Sequence, residues 1–149
     1  NVVRVLNRDY GFDLKLKVFG RGPYRDALER HLRGLGIEYT IDDPQPFEEY
    51  IKYLSHARLF GLLSEKESYP QSVNEANAIG VPTVVAEPWG RNFFNRSRTL
   101  IVSLSESDEA IAEKVAEFLD NVHKELRSTV PSWNEVTIAY LKKLYEVHG

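Results

Sequence analysis

Two glutamates eight residues apart, Glu67 and Glu75, are the residues of this sequence best suited to chemistry. The pattern from Gln71 to Ile79 predicts a short helix between Pro70 and Gly80, and Pro82 helps prevent its continuation. A helix start leaves its first N–H groups unpaired, here those of Gln71, Ser72 and Val73. Those groups and the helix dipole form an anion site that suits a diphosphate. Glu67 stands in the loop before the helix and Glu75 one turn inside it. The two carboxylates can therefore flank one anion from different directions. A carboxylate accepts hydrogen bonds in pairs, which matches the adjacent hydroxyls of a ribose or a hexose. A bland reading competes with this one. Ser72 and Glu75 also fit a Ser-x-x-Glu capping box, and a loop glutamate such as Glu67 is ordinarily just solvated.

The elements around this segment follow from periodicity. Val2, Val3, Leu6 and Tyr10 recur at helical spacing up to Gly11. Leu14 to Phe19 alternates as a strand, and the turn Gly20-Arg21-Gly22-Pro23 closes it. Tyr24, Leu28, Leu32 and Leu35 mark an amphipathic helix that stops at Gly36. Ile37 to Ile41 predicts a short strand, and Phe47, Tyr50, Ile51 and Leu54 predict another helix. Arg58 to Leu63 is nearly all apolar, as in a strand covered on both faces, and Pro82 to Ala86 reads the same way. Thr99 to Ser103 is a last short strand. A long helix is expected from about Ser107 to Leu126, and a final one opens with a capping box at Ser132 and Glu135. Alternation of this kind implies an α/β fold, a parallel sheet with helices on both faces. Ligands of such sheets bind at the carboxyl ends of the strands. That places strand 58–63 and the loop after it at the centre of interest.

The run Glu67-Ser68-Tyr69-Pro70, four residues, then Glu75-Ala76-Asn77-Ala78-Ile79-Gly80-Val81-Pro82 resembles the donor-site signature of retaining glycosyltransferases of the GT-B architecture. It resembles notably the large glycosyltransferase family 4, also called group 1. Phe19-Gly20-Arg21-Gly22-Pro23 resembles the glycine turn after an early strand of that family's donor-binding domain. Ser132-Trp133 followed by Tyr140, Leu141, Leu144 and Tyr145 resembles its terminal helix. The resemblance implies a Rossmann-like C-terminal domain of the GT-B fold. Residues 1–149 would form one nucleotide-sugar-binding domain, a fragment without its first strand and without the N-terminal acceptor domain. It implies transfer of a hexose from a nucleotide diphosphate sugar to an acceptor hydroxyl, with retention of configuration. Glu67 would act as the catalytic residue and hold the hydroxyls of the donor sugar. Glu75 would hold the ribose. The N–H groups of Gln71, Ser72 and Val73 would hold the diphosphate, with Ser68, Tyr69, Pro70 and Gly20 also lining the site. No cofactor and no metal are implied. The acceptor, a sugar or a lipid-linked molecule, would bind through the other domain. The isolated chain would be inactive. The location implied is cytoplasmic, with peripheral association at the inner face of the membrane as its variant.

Two departures from the family pattern stand out. The Arg and Lys that usually neutralise the leaving diphosphate belong to a segment before the first helix, and Arg4 and Arg8 are poor substitutes. The loop Glu87-Pro88-Trp89-Gly90-Arg91-Asn92 has one glycine where the family usually has a pair. These departures motivate an alternative, a non-catalytic nucleotide-sugar-binding module. A sugar-nucleotide epimerase or a phosphorylase of the same architecture is a third reading, although no lysine can be assigned to pyridoxal phosphate.

Composition narrows the field. At 149 residues, 42% apolar and 28% charged, the chain suits one soluble domain. A net charge of −3 argues against nucleic-acid binding, which needs a dense basic face. Without cysteine there is no disulfide framework and no thiolate metal site. His31, His56, His123 and His148 show no metal-ligand spacing. Trp89, Phe93 and Phe94 are expected at a surface between domains.

Overall fold

The computed structural model describes residues 1–68, 70–92 and 98–126. Phe93, Phe94 and the whole expected final helix, with Ser132, Trp133, Glu135 and His148, lie outside the described residues. Helices and parallel strands alternate: α1 (Val2–Asp9), β1 (Leu16–Phe19), α2 (Arg25–Leu35), β2 (Tyr39–Asp42), α3 (Phe47–Ser55), β3 (Phe60–Leu62), α4 (Gln71–Ala78), β4 (Thr83–Ala86), a 3-10 turn (Trp89–Asn92), β5 (Thr99–Val102) and α5 (Asp108–Leu126). This is the expected Rossmann-like α/β fold, with strand ends shifted by one or two residues.

The strands form two parallel ladders where one sheet was expected. β1 pairs with β2, with Leu16 opposite Tyr39 and Phe19 opposite Asp42. β3, β4 and β5 pair in that order, with Phe60 opposite Thr83 and Val85 opposite Ile101. Among the described residues no ladder joins the two groups. Their entry segments nevertheless meet. Phe12, Leu14 and Leu59 pack on one core cluster, and the Arg58 guanidinium lies 5.1 Å over the Phe12 ring. Among the described residues β1 pairs only with β2 and β3 only with β4, so each has an open edge.

That open edge explains a second difference. The 58–63 segment does not form a strand covered on both faces. Only Phe60–Leu62 is extended, Gly61 is exposed, and Leu63 keeps 40% of its surface in water. An apolar run gains full burial only where a neighbouring strand and helices close over it. β4 has neighbours on both edges, and all four of its residues are buried.

The main core lies between β4, β5 and the two helices α1 and α5. Val5 and Leu6 of α1 meet Val84, Val102, Ile111, Val115 and Leu119. Burying each such side chain stabilises the fold by roughly 1.5–3 kcal/mol. Asn7 fastens α1 to the chain entering β1, donating from Nδ2 to the Leu14 carbonyl and accepting from the Leu14 N–H, both at 2.9 Å.

Helix α4 is held at both ends. At its C-terminal end, Gly80 adopts φ 85°, a conformation that other residues rarely tolerate. There the Thr83 hydroxyl donates to the Thr99 hydroxyl at 2.9 Å, and Thr99 donates to the Asn77 Oδ1 at 3.2 Å. This buried polar chain pins α4 to β4 and β5. Nearer its start, Val73 is fully buried with Val85, Ala86 and Trp89. Gly90 follows Trp89, and a Cβ there would come within 2.5 Å of the Val85 side chain. The 3-10 turn therefore presses against β4 more closely than any other residue type would allow.

Candidate functional site

The loop from Leu63 to Pro70 leaves the carboxyl end of β3 and delivers the chain to α4. Its shape is set by hydrogen bonds that radiate from Ser64. The Trp89 indole N–H donates to the Ser64 carbonyl at 2.7 Å, and the Ser64 hydroxyl donates to the Glu67 Oε1 at 2.6 Å. A buried ring beneath the loop thus reaches Glu67 through one residue. This corrects the expectation that Trp89 lies at an interdomain surface. It is 5% exposed and belongs to the core, because its large apolar ring fills the space between β4 and α4 while its N–H finds a carbonyl.

Glu67 is half-buried and Ser68 is exposed. Tyr69 lies outside the described residues. Pro70 is buried and occupies the N-cap position of α4, where no side chain caps the helix. Ser72 is the second helical residue, so the Ser72–Glu75 capping box does not form. The Glu75 carboxylate is left for other work.

The first N–H groups of α4 divide unevenly. Val73 already donates to the Pro70 carbonyl at 3.1 Å, as does Asn74 at 3.3 Å. The tightened first turn thus engages one of the three N–H groups expected to face an anion. Those of Gln71 and Ser72 have no acceptor among the described residues and remain open at the helix start. The Val73 side chain points into the core, so this residue could reach a ligand only through its backbone.

Glu75 sits on the fifth residue of α4, half-buried. Among the described residues its carboxylate has no hydrogen-bond or ion-pair partner, and burial pushes its pKa above the ordinary glutamate value. Its neighbour from α3 is Tyr50, whose buried hydroxyl, like the side-chain Nδ2 groups of Asn74 and Asn77, has no partner among the described residues. The Tyr50 ring stands edge-on to Phe19, with centroids 6.1 Å apart. Gly20 follows Phe19 and donates from its N–H to the Asp42 carbonyl at 3.0 Å, extending the β1–β2 ladder. Through Phe19 and Tyr50 the strand that leads to the glycine turn touches α3, which packs against α4. Sequence reasoning treated Tyr50 only as a helix marker. An aromatic at helical spacing has the signature of core, and only its hydroxyl's surroundings distinguish it.

Large exposed apolar residues collect along the same rim. Tyr24 after β1 is 79% exposed, Phe47 after β2 is 64% exposed, and Leu63 follows β3. Among the described residues no group of His, Asp and Glu is arranged to hold a metal ion, and no helix is long and apolar enough to cross a membrane.

Known proteins share the fold. The fold matches the catalytic domain of the cholesterol-α-glucosyltransferase from Helicobacter pylori, with a TM-score of 0.69 over 95% of this chain and 87% of that one, at 18% identity. The sequence is 30% identical over 112 residues to the 2-deoxystreptamine N-acetyl-D-glucosaminyltransferase of Niallia circulans. That match takes in 73% of this chain and 29% of the relative, so the chain spans under a third of that protein's length. The model of the glycosyl transferases group 1 family matches residues 2–130, and the chain belongs to that family.

Proposed function

We propose that this chain is the donor-binding domain of a retaining hexosyltransferase. The whole protein would move a hexose from a nucleotide diphosphate sugar to an acceptor hydroxyl. One observation carries the reading. Glu75, acidic, half-buried and without a partner among the described residues, stands one turn inside a helix whose first two N–H groups find no acceptor among them. The diphosphate binds at Gln71 and Ser72, where the N–H groups and the helix dipole meet its charge. Glu75 accepts hydrogen bonds from the ribose hydroxyls. Glu67, oriented by Ser64, faces the donor sugar as the catalytic acid residue of the site. Catalysis is electrostatic, since the charge that builds on the leaving diphosphate is met by fixed dipoles. No metal or cofactor enters this scheme. The acceptor, a sugar or lipid-linked molecule, binds in a cleft completed by a second domain. The exposed apolar rim at Tyr24, Phe47 and Leu63 suits such a partner surface. A strand between β1 and β3 would join the two ladders into the doubly wound order that such folds use. The expected place of action is the cytoplasm or the inner membrane face.

Calorimetric titration with UDP-, GDP- and ADP-sugars tests the reading. One of the three should bind the folded chain. Glu75→Ala should weaken that binding by about 10- to 100-fold, the worth of charge-assisted hydrogen bonds at ~1.5–3 kcal/mol. A folded chain that binds none of them would falsify the proposal.

A second reading, a non-catalytic module that binds the same ligand, draws on the 87–92 loop. Trp89, where the family pattern has a small residue, is committed to packing. A complete protein that binds nucleotide sugar without transferring or hydrolysing it would decide for this reading.

A further inference from the structure

We infer that Trp89 and Ser64 are positioning residues, which hold the Glu67 carboxylate at a set place relative to the start of α4; this rests on the donor-binding reading given above. What they secure is that the sugar and the diphosphate of one ligand are met together.

Trp89 joins three parts of the chain. Its ring packs with Val85 and Ala86 of β4 and with Val73, the third residue of α4. Its N–H leaves that cluster for the Ser64 carbonyl, 2.7 Å away in the loop before α4. At 5% exposure the ring is held by close packing and has little freedom. A phenyl ring would make most of the apolar contacts, so packing by itself does not require the indole N–H.

The acceptor of that N–H gives it a use. Ser64 is bonded twice, its carbonyl taken by Trp89 and its hydroxyl donated to the Glu67 Oε1 at 2.6 Å. One carboxylate oxygen of Glu67 is therefore fixed. Among the described residues Oε2 accepts from nothing and is left for a ligand hydroxyl. A glutamate in an exposed loop would otherwise lose its rotamer freedom only when the ligand arrives, and binding would be weaker by that cost. The same ring lies under Val73, in the turn where the Gln71 and Ser72 N–H groups find no acceptor among the described residues. Glu67 and the helix start thus take their places from one buried side chain.

The experiment measures, by calorimetry, the affinities of UDP, GDP and ADP and of their glucose conjugates. Glu67→Ala should weaken the conjugate that binds by about 10- to 100-fold, as for a hydrogen bond to a charged group. Trp89→Phe and Ser64→Ala should each weaken it by about 3- to 10-fold, because the carboxylate remains but must be ordered on binding. All three should bind the bare diphosphate as the unaltered chain does. Ser64→Thr keeps the hydroxyl and should restore the affinity. Added to Glu67→Ala, neither Trp89→Phe nor Ser64→Ala should cost more, since both act through Glu67. If Trp89→Phe melts too low to assay, Ser64→Ala, which leaves the core intact, carries the test. A loss shared equally by the bare diphosphate overturns the inference, because the variants would then act through the packing of α4. A loss that persists without Glu67 also overturns it. So does an unchanged affinity for the conjugate, and in these three cases the donor-binding reading stands. An unaltered chain that binds no nucleotide sugar removes that reading and the inference together.

Discussion

The two ladders of strands are held by different forces. Around β1 and β2, from residue 12 to residue 46, Leu32 alone is buried. What covers that ladder is charge. Lys15 meets Glu38, Lys17 meets Asp42, and Arg21 and Arg25 both reach Asp43. Arg21 holds the Asp43 carboxyl below its usual value, but the pair is exposed to water. Such pairs contribute little, because water competes for both partners and long side chains must be ordered. Around β3, β4 and β5 the balance is reversed. β4 is buried throughout, and Val84, Val102, Leu119 and the α1 side chains form a dry core. The lesson is that the candidate site straddles a boundary. Glu67 and α4 are anchored on the well-packed ladder, while Gly20 and the Phe19–Tyr50 contact belong to the thinly packed one. A ligand that touches both would add stability to the weaker part.

This contrast can be broken most sharply in the core. Leu119→Ala, at a fully buried position of α5, should cost about 3–5 kcal/mol in urea unfolding. Leu32→Ala, under the first ladder, should cost only ~2 kcal/mol, since its surroundings can close more easily over the space left behind. Equal costs would mean that the two ladders are packed alike after all.

A smaller effect is expected at the boundary. Glu75 has its pKa raised in the folded chain, so folding favours the protonated acid. Its contribution is most favourable below the ordinary glutamate value and is lost as pH rises through the raised value. Glu75→Gln should therefore melt slightly higher at neutral pH, by about 1–2 °C, because the carboxylate keeps much of its water. The gain should vanish as the pH is lowered toward 4.5. Ligand binding should move the other way. Hydroxyls that donate to Glu75 prefer the carboxylate, so affinity should weaken as the acid takes up its proton. A residue that lowers stability where it aids binding belongs to a site, and thermal melts with calorimetry across this range would show both trends.

The smallest effect concerns the surface charge. Replacing Lys15 and Glu38 together by alanine should shift the melting midpoint by no more than about 1 °C, despite their 2.8 Å contact. A larger loss would show that ion pairs, not packing, hold the first ladder.

What could be read from the sequence was whatever depends on near neighbours along the chain. The helices α2 and α4 end where Gly36 and Gly80 permit a left-handed turn, and their apolar residues recur at the spacing of one helical face. β4 was legible because an unbroken apolar run can hardly be placed anywhere but inside. The Glu67 and Glu75 pattern was legible as a family signature, which is a statement about residue types in order.

Only the tertiary structure decided which groups find partners. Ser72 and Glu75 have the spacing of a cap, yet the helix begins two residues too early for it, with Pro70 at the N-cap position. Trp89 has the look of a surface aromatic in a polar loop, yet it fills the space under α4 and steadies Ser64. Arg58 to Leu63 has the composition of a covered strand, yet it lies at an edge. The Tyr50 hydroxyl is invisible in a pattern that registers only a ring. The physical reason is the same in each case. Periodicity reports which side of an element turns inward, but hydrogen bonding and burial depend on what another part of the chain, distant in sequence, brings to that side.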